Sequence, residues 1–183
     1  ARQITAGATP MVDADRDKIM VDGKPLNLDT HKIYALFYKP PKCVTSKSDP
    51  EGRPTIYDYM KGLPPHIAYA GRLDWDAEGA LILSNDGEFI SALTHPRYKI
   101  SKTYEVKVSK TLSNAALQKM RDGIKLDGKK TAPAEVEMFD VTDGGNCWLR
   151  IVLREGRKNQ IKRMLSEVGH RCMRIVRVGV GSV

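Results

Sequence analysis

The chain has 183 residues, which is enough for one sizeable hydrophobic core with at most a small appendage. Its hydrophobic content of 41% and charged content of 28% are those of a globular protein, and no apolar run approaches the roughly 20 residues that a membrane-spanning helix needs. Cys43, Cys147 and Cys172 are far apart and form no CxxC pair, which argues against a disulfide framework or a structural zinc site and predicts a reducing, cytoplasmic location.

The formal net charge of +8 is concentrated towards the carboxyl end of the chain. Residues 150–177 contain nine Lys and Arg side chains against only Glu155 and Glu167. A basic stretch of this density predicts a polyanionic partner, with a solvated charged face as the alternative.

The first 60 residues predict a hairpin, a strand and a short helix. Asp22-Gly23 lies between two short apolar pieces, which is a hairpin signal. Residues 33–38 (IYALFY) predict a buried strand that ends at a Lys-Pro-Pro turn. A polar loop over residues 46–55 then leads into a short helix over residues 56–60.

The stretch AGRLDWDAEGALILSNDG, residues 70–87, organises the rest of the chain. Its apolar run, residues 80–83, is short, aliphatic and flanked by turn residues, which favours a buried strand. Asp74 therefore lies in a loop at the mouth of that strand, where a reactive group can be held rigidly and still meet a substrate. A turn or capping aspartate is the plainer interpretation.

The middle of the chain predicts alternating strands and helices. Residues 88–93 predict a helical turn, and residues 104–108 alternate as a strand does. Ser113 can cap a helix that ends at Gly123, with Leu117 and Met120 on its inner face. Residues 125–133 are predicted as loop, and residues 134–141 and 147–154 as two strands joined by a Gly-containing turn.

The last 30 residues contain the clearest helix, residues 158–168, and a final strand, residues 173–180. Ile161, Met164, Leu165 and Val168 form one apolar stripe of this helix. Lys162 lies about 100° from Ile161, at the edge of the stripe, whereas Arg163 lies about 200° away. Lys162 can therefore reach into a cleft, while Arg163 faces solvent or a large partner. Because strands outnumber helices and come in consecutive groups, the fold class is predicted as α+β with a mostly antiparallel sheet.

Several of these stretches together resemble the pseudouridine synthases, in particular the branch that modifies ribosomal RNA and often carries an S4-like domain. The similar stretches are a first motif over residues 38–60 (YKPPKCVTSKSDPEGRPTIYDYM), GRLDxxxxG followed by an apolar strand and NDG, Lys102-Thr103-Tyr104, and EGRKNQIKRM over residues 155–164. Two positions depart from the pattern: Ala77 stands where Thr or Ser is common, and Lys42 where glycine is usual.

The resemblance covers residues 33–180 and implies a bent central sheet in two halves, with flanking helices and a cleft between the halves. Residues 29–183 are then the catalytic domain. Residues 1–28 resemble the tail of an S4-like RNA-binding domain, which makes the chain a fragment that lacks most of that domain.

The resemblance also implies roles for individual residues. Asp74 maps onto the catalytic aspartate, Tyr104 onto a tyrosine that lies beside it and packs on the target base, and Lys162 onto a cation that pairs with the aspartate. The phase of the predicted helix selects Lys162 as well. Residues implied to bind RNA are Arg72, which fills the space left by a flipped-out uridine, together with Arg157, Lys158, Gln160 and Arg163.

The function implied is isomerisation of a specific uridine to pseudouridine in ribosomal RNA or a ribosomal assembly intermediate, by a monomer without redox cofactor or catalytic metal. Residues 49–60 (DPEGRPTIYDYM) favour large-subunit RNA, and small-subunit RNA is an open alternative. The carboxylate can add to uracil C6 or act at ribose C1′, and the sequence does not choose between these routes.

Two functions from other classes compete with this one. A non-catalytic rRNA-binding or assembly module fits the basic stretch equally well, but does not need Asp74, Tyr104 and Lys162. A metal-dependent nuclease could use Asp74, Asp76 and Glu78 as ligands, although no second acidic cluster accompanies them.

Overall fold

The structure is a computed structural model that describes residues 20–21, 23–25, 31–64 and 66–183. The chain divides into two compact units, residues 1–32 and residues 33–183. In the first unit, β1 (Met20–Val21) pairs antiparallel with β2 (Lys24–Pro25), which confirms the predicted hairpin. The S4-like tail falls mostly outside the described residues and stays a prediction.

The second unit is built on one seven-stranded sheet with helices packed against it. No helix in the described ranges is long and apolar enough to cross a bilayer. The helices are α1 (Ile56–Tyr59), α2 (Gly87–Thr94), α3 (Asn114–Asp122) and α4 (Gln160–Glu167), with one 3-10 helix, Pro96–Tyr98. The strands are β3 (Tyr34–Lys39), β4 (Ala68–Tyr69), β5 (Glu78–Ser84), β6 (Lys102–Val108), β7 (Lys125–Leu126), β8 (Lys129–Lys130), β9 (Glu135–Val141), β10 (Cys147–Leu153) and β11 (Cys172–Val180).

The strand order is β3-β5-β11-β6-β10-β9, and β4 pairs with β5. All neighbours are antiparallel except β5 and β11, so the predicted α+β fold with a mostly antiparallel sheet is confirmed. The bend and the cleft between two halves stay predictions from the resemblance. β3 is an edge strand that leaves Tyr34, Leu36 and Tyr38 more than half exposed, so its prediction as a buried strand is wrong.

Residues 125–133 are not all loop, because β7 and β8 form a small antiparallel hairpin there. Asp127 and Gly128 turn the chain with φ of +50° and +77°. This Asp-Gly pair is the usual signal for a two-residue hairpin turn. The hairpin was not predicted because the two strands beside it are short and rich in lysine, and they lack the apolar alternation of a strand.

Two apolar clusters form most of the core. The larger one joins α3 and α4 to β6, β10 and β11, with Leu117 and Met164 fully or almost fully buried. The second lies around α1 and β5. Leu73 and Ala77, on either side of Asp74 in the sequence, both belong to the larger cluster, so the loop between them is held down at both ends.

Gly79, the second glycine of GRLDxxxxG, permits a close approach of β5 to β11. It pairs with Arg177 in the parallel register and has φ of +109°. A Cβ atom at Gly79 would lie 2.2 Å from the carbonyl oxygen of Arg177, which no side chain tolerates. The glycine therefore sets where β11 runs beside the Asp74 loop.

Candidate active site

Asp74 lies in the loop between β4 and β5, at the wall of an open cavity of about 790 Å³. Its backbone carbonyl accepts a hydrogen bond from the amide of Ala77 at 3.1 Å, which closes a tight turn just before β5. The side chain is half-buried. The predicted position, a carboxylate at the mouth of a buried strand, is confirmed.

The backbone of the turn around Asp74 is held by hydrogen bonds from the end of β3 and from the residues that follow it. The hydroxyl of Thr45 donates to the carbonyl of Leu73 at 2.8 Å and accepts the amide of Leu73 at 3.2 Å. The ammonium of Lys39 donates to the carbonyl of Ala77 at 2.7 Å, and the amide of Cys43 donates to the carbonyl of Trp75 at 3.3 Å. Backbone groups on both sides of Asp74 are thus fixed.

Lys39 is a fully buried cation, and its second hydrogen bond goes to the carbonyl of Pro40 at 2.9 Å. Burial lowers the pKa of Lys39, while nearby acidic groups, Asp74 among them, oppose that shift. Lys42, in the same segment, has φ of +57°. The backbone there takes the left-handed conformation that a glycine favours, although the residue is a lysine.

Tyr104 lines the same cavity as Asp74. In β6 it lies directly across from Ile151 on one side and from Arg177 on the other. Burial raises the pKa of Tyr104; the charge of Arg177 and its hydrogen bond to Tyr104 oppose that rise, and the charge of Asp74 adds to it. The structure therefore brings together the two residues that the resemblance selected as nucleophile and base-packing tyrosine.

Lys162 does not pair with Asp74 as expected, because its ammonium contacts the carboxylate of Asp76. α4 begins at Gln160, two residues later than predicted, after Asn159 takes a left-handed φ of +51°. Lys162 is partly exposed at the edge of the apolar stripe, as the helical phase predicted. That edge faces the outer end of the Asp74 turn, where Asp76 projects.

Arg157 and Gln160 make hydrogen bonds to other residues of the chain. The guanidinium of Arg157 donates to the carbonyls of Lys129 and Lys130 at 3.0 and 2.6 Å, which ties it to β8. Gln160 is 4% exposed, accepts the amide of Arg157 at 3.0 Å and donates to Glu155 at 2.6 Å. Both ends of its amide are therefore occupied within the chain, while Gln160 also lines the cavity, and its expected contact with RNA stays a prediction.

The other residues expected to bind RNA are accessible. Arg72 and Lys158 line the cavity and are exposed. Arg163 lies outside the cavity lining and pairs with Asp127 at 2.6 Å, on the β7–β8 turn. Exposed ion pairs of this kind contribute only about 0–1 kcal/mol, so the guanidinium can exchange its partner.

The cavity is electropositive. Two carboxylates, Asp74 and Glu155, stand among its lining residues against seven basic side chains. The lining of the cavity therefore supports the prediction of a polyanionic ligand, which previously depended on the sequence alone. The basic side chains are Arg72, Lys99, Lys102, Arg154, Arg157, Lys158 and Arg177.

The three carboxylates of the nuclease hypothesis do not converge. Asp76 contacts Lys162, and Glu78 accepts hydrogen bonds from Tyr38 at 2.7 Å and Arg174 at 2.6 Å. The bond from Arg174 lowers the pKa of Glu78. Within the described ranges, no three His, Cys, Asp or Glu side chains form a group that could hold a metal ion.

Sequence reasoning missed three site residues: Lys39, Thr45 and Arg177. Lys39 and Thr45 belong to the first motif, which was read for its turn and not for its side-chain contacts. Arg177 is 2% exposed and lines the cavity. The burial of Arg177 could have been predicted from the sequence, because the two-residue period of a strand puts Arg177 on the same face as Ile175.

Comparison with known proteins gives consistent matches. A family model described as RNA pseudouridylate synthase matches residues 33–167. Ribosomal large subunit pseudouridine synthase B of Bacillus subtilis is 36% identical over 162 residues, which cover 88% of this chain and 66% of that protein. Ribosomal large subunit pseudouridine synthase E of Xanthomonas axonopodis pv. citri is 38% identical over 151 residues, which cover 75% of this chain and 78% of that protein. A crystal structure of a pseudouridylate synthase superposes with a TM-score of 0.76 and 30% identity, covering 87% of this chain and 67% of the other.

Proposed function

Because this chain belongs to the RNA pseudouridylate synthase family, we propose that it isomerises a specific uridine of large-subunit ribosomal RNA to pseudouridine. The choice of RNA rests on two relatives that are named ribosomal large subunit pseudouridine synthases. The observation that carries the proposal is the anchored Asp74 turn at the wall of a cavity lined by an excess of basic side chains.

Asp74 is the nucleophile of the proposed reaction. Uracil must leave the ribose, rotate and rejoin through C5, and the bond is remade in the same site, so the isomerisation needs no external energy source. A carboxylate assists either by adding to uracil C6 or by acting at ribose C1′. The anchors on Leu73 and Ala77 hold its backbone in place, which is the positioning that such a displacement requires.

Tyr104 packs on the target base and takes part in removal of the C5 proton. It lines the same cavity as Asp74, which a base leaving the RNA stack would enter. The target uridine has to be flipped out, because its reacting atoms are inaccessible inside a stack. Arg72, exposed at the cavity, occupies the space that the uridine leaves.

Lys162 acts by exchanging Asp76 for Asp74 when RNA covers the site. Both aspartates belong to one short turn, and the existing pair is exposed enough to contribute little. Once RNA excludes water, a cation beside Asp74 favours its ionised form more strongly. Lys158 and Arg163 bind phosphates, which supply affinity and position but little sequence choice.

Pseudouridine formation by the purified chain tests the proposal. Large- and small-subunit rRNA from cells that lack the protein are incubated with it, with and without EDTA, and pseudouridines are mapped. We expect one new pseudouridine in large-subunit rRNA, unaffected by EDTA. Binding without any new pseudouridine would favour the non-catalytic module, and a product only in small-subunit rRNA would overturn the choice of RNA.

A further inference from the structure

The β7–β8 hairpin carries three lysines whose charges are not neutralised within the described part of the chain. Lys125 pairs directly with Lys130 across the hairpin, and Lys129 follows its turn. All three residues are exposed, and none of their ammonium groups forms an ion pair with a carboxylate of the described residues. Like charges directly opposite each other weaken a strand pair, so a ligand of opposite charge is expected to cover them.

Lys125 and Lys130 project from the outer face of the hairpin. Successive residues of a strand point to opposite faces, and directly paired residues share one face. Leu126, the neighbour of Lys125, is buried and belongs to the larger apolar cluster. The face that carries Lys125 and Lys130 is therefore turned away from the core, towards a partner outside the chain.

Two contacts fix this hairpin beside the candidate active site. The guanidinium of Arg157, which lines the cavity, donates to the carbonyls of Lys129 and Lys130. Just after β8, the amide of Ala132 donates to the carboxylate of Glu155, another lining residue, at 3.1 Å. The hairpin is therefore held next to the wall of the cavity, although its lysines do not line it.

The hairpin also continues the set of cations to which the proposed function assigns phosphate contacts. Arg163 pairs with Asp127 at the hairpin turn, and Lys158 adjoins Arg157 in the cavity wall. Asp127 is the only carboxylate of the hairpin, and Arg163 already engages it. A basic surface thus extends from the cavity wall across the start of α4 to the hairpin.

We propose that the β7–β8 hairpin binds phosphates of the RNA strand beside the target uridine, through Lys125, Lys129 and Lys130. Arg157 is the positioning residue that holds the hairpin there, because its guanidinium donates to the backbone of β8. This inference rests on the proposed function for the identity of the RNA. Contacts of this kind supply affinity and fix the position of the RNA, but they read no sequence.

Salt-dependent binding to large-subunit rRNA tests the surface. The double variant Lys125→Gln/Lys130→Gln should make the plot of log affinity against log salt shallower by about 1.4–1.8, which is about 0.7–0.9 for each lost phosphate contact. Lys61→Gln/Lys110→Gln is the matched control, since it removes the same charge from exposed residues outside the cavity lining. The control should leave the slope unchanged.

Uncharged phosphates then locate the contact. In a short RNA around the mapped uridine, the phosphates on either side are replaced one at a time by methylphosphonates, which carry no charge. At the contacted position, the replacement should weaken binding to the parent. It should have no further effect on Lys125→Gln/Lys130→Gln, because both changes remove the same interaction. The control variant should show the parental pattern.

The positioning role of Arg157 is tested by the same logic. Arg157→Met should weaken binding of the parent and have a smaller effect in the Lys125→Gln/Lys130→Gln background, where the hairpin has lost two of its charges. Equal effects in both backgrounds would overturn the positioning role, since Arg157 would then contact RNA by itself. Thermal unfolding checks each variant, and if Arg157→Met does not fold, Arg157→Lys takes its place.

The outcomes separate the two claims. A parent that makes no pseudouridine overturns the proposed function, and the salt slopes still decide whether the hairpin binds RNA. An active parent whose slope is unchanged in Lys125→Gln/Lys130→Gln overturns the hairpin surface alone. A slope lowered equally by Lys61→Gln/Lys110→Gln overturns it as well, because net charge would then explain the effect.

Discussion

The loop that carries Asp74 and the first turn of α4 hold their functional residues in opposite ways. Around Asp74, buried side chains bond to the backbone: Lys39 is fully buried and Thr45 is 5% exposed. In α4, Lys162 and Arg163 are held by exposed ion pairs with aspartates elsewhere in the chain. The proposed nucleophile is therefore held in position before any RNA would arrive, whereas these cations are free to change partners on the proposed binding of RNA.

The energies of the two kinds of contact differ enough to decide what a substitution does. A hydrogen bond from a charged donor contributes about 1.5–3 kcal/mol, and removing it strands a buried carbonyl. An exposed ion pair contributes about 0–1 kcal/mol. Changes at the anchors should therefore affect stability and turnover together, and changes at the exposed cations should affect turnover or RNA binding with little loss of stability.

Lys39→Met should have the largest combined effect. It removes the hydrogen bond to Ala77 and leaves that carbonyl unpaired, which should cost about 1–3 kcal/mol of unfolding free energy. A shift of the Asp74 turn by about 1 Å should also slow turnover by about 10²-fold. Urea denaturation and single-turnover kinetics measure both. Lys42→Met, in the same segment but exposed, is the control, and parental turnover in a folded Lys39→Met protein would contradict the anchoring role.

Lys162→Met should slow single turnover by about 10²-fold with almost unchanged stability, because the exchange of Asp76 for Asp74 is lost. Asp76→Asn is the matched control from the other side of the ion pair. It frees Lys162, so activity should be retained. If both variants lost activity equally, the Lys162–Asp76 contact itself would be what matters, and the proposed exchange would be wrong.

Thr45→Val should have a smaller effect, because it is nearly isosteric and removes only neutral hydrogen bonds to Leu73. We expect a loss of about 1–2 kcal/mol in unfolding free energy. Turnover should fall by about tenfold at most, since Lys39 still holds the other end of the turn. Thr45→Ser keeps the hydroxyl and should restore most of both quantities; equal defects in Val and Ser variants would point to packing instead.

Lys158→Ala should produce the smallest change, visible only in RNA binding. The plot of log affinity against log salt should become shallower by about 0.7 if one phosphate contact on a single strand is lost. Arg163→Ala should act similarly once its pair with Asp127 opens. Lys61→Ala, exposed and outside the cavity lining, should leave the slope unchanged. An unchanged slope in Lys158→Ala would place the RNA elsewhere on the surface.

Local patterns in the sequence predicted most of the fold. The helix capped by Ser113 and closed by Gly123 was predicted with both ends correct. The apolar stripe of α4 was also correct, because it depends only on neighbours along the chain. The edge position of β3 was missed, since it depends on which strands flank it and no periodicity records that.

The candidate site was predicted in the same uneven way. Asp74 and Tyr104 were correctly expected at one place, through the order of the motifs. The partner of Lys162 could not be predicted, because two aspartates two residues apart are both within reach of a long side chain. Arg177 was counted in the basic stretch that predicts a polyanionic partner. In the structure its side chain is buried, and it pairs with Gly79 of β5.

The most direct test of the central claim, that the anchored carboxylate of Asp74 performs the isomerisation, is single-turnover pseudouridine formation by Asp74→Asn. Asparagine is nearly isosteric, so the turn, the fold and RNA affinity should survive. The amide cannot act as the nucleophile, so no pseudouridine should form while the parent converts the same RNA. Pseudouridine formation by Asp74→Asn near the parental rate would contradict the account.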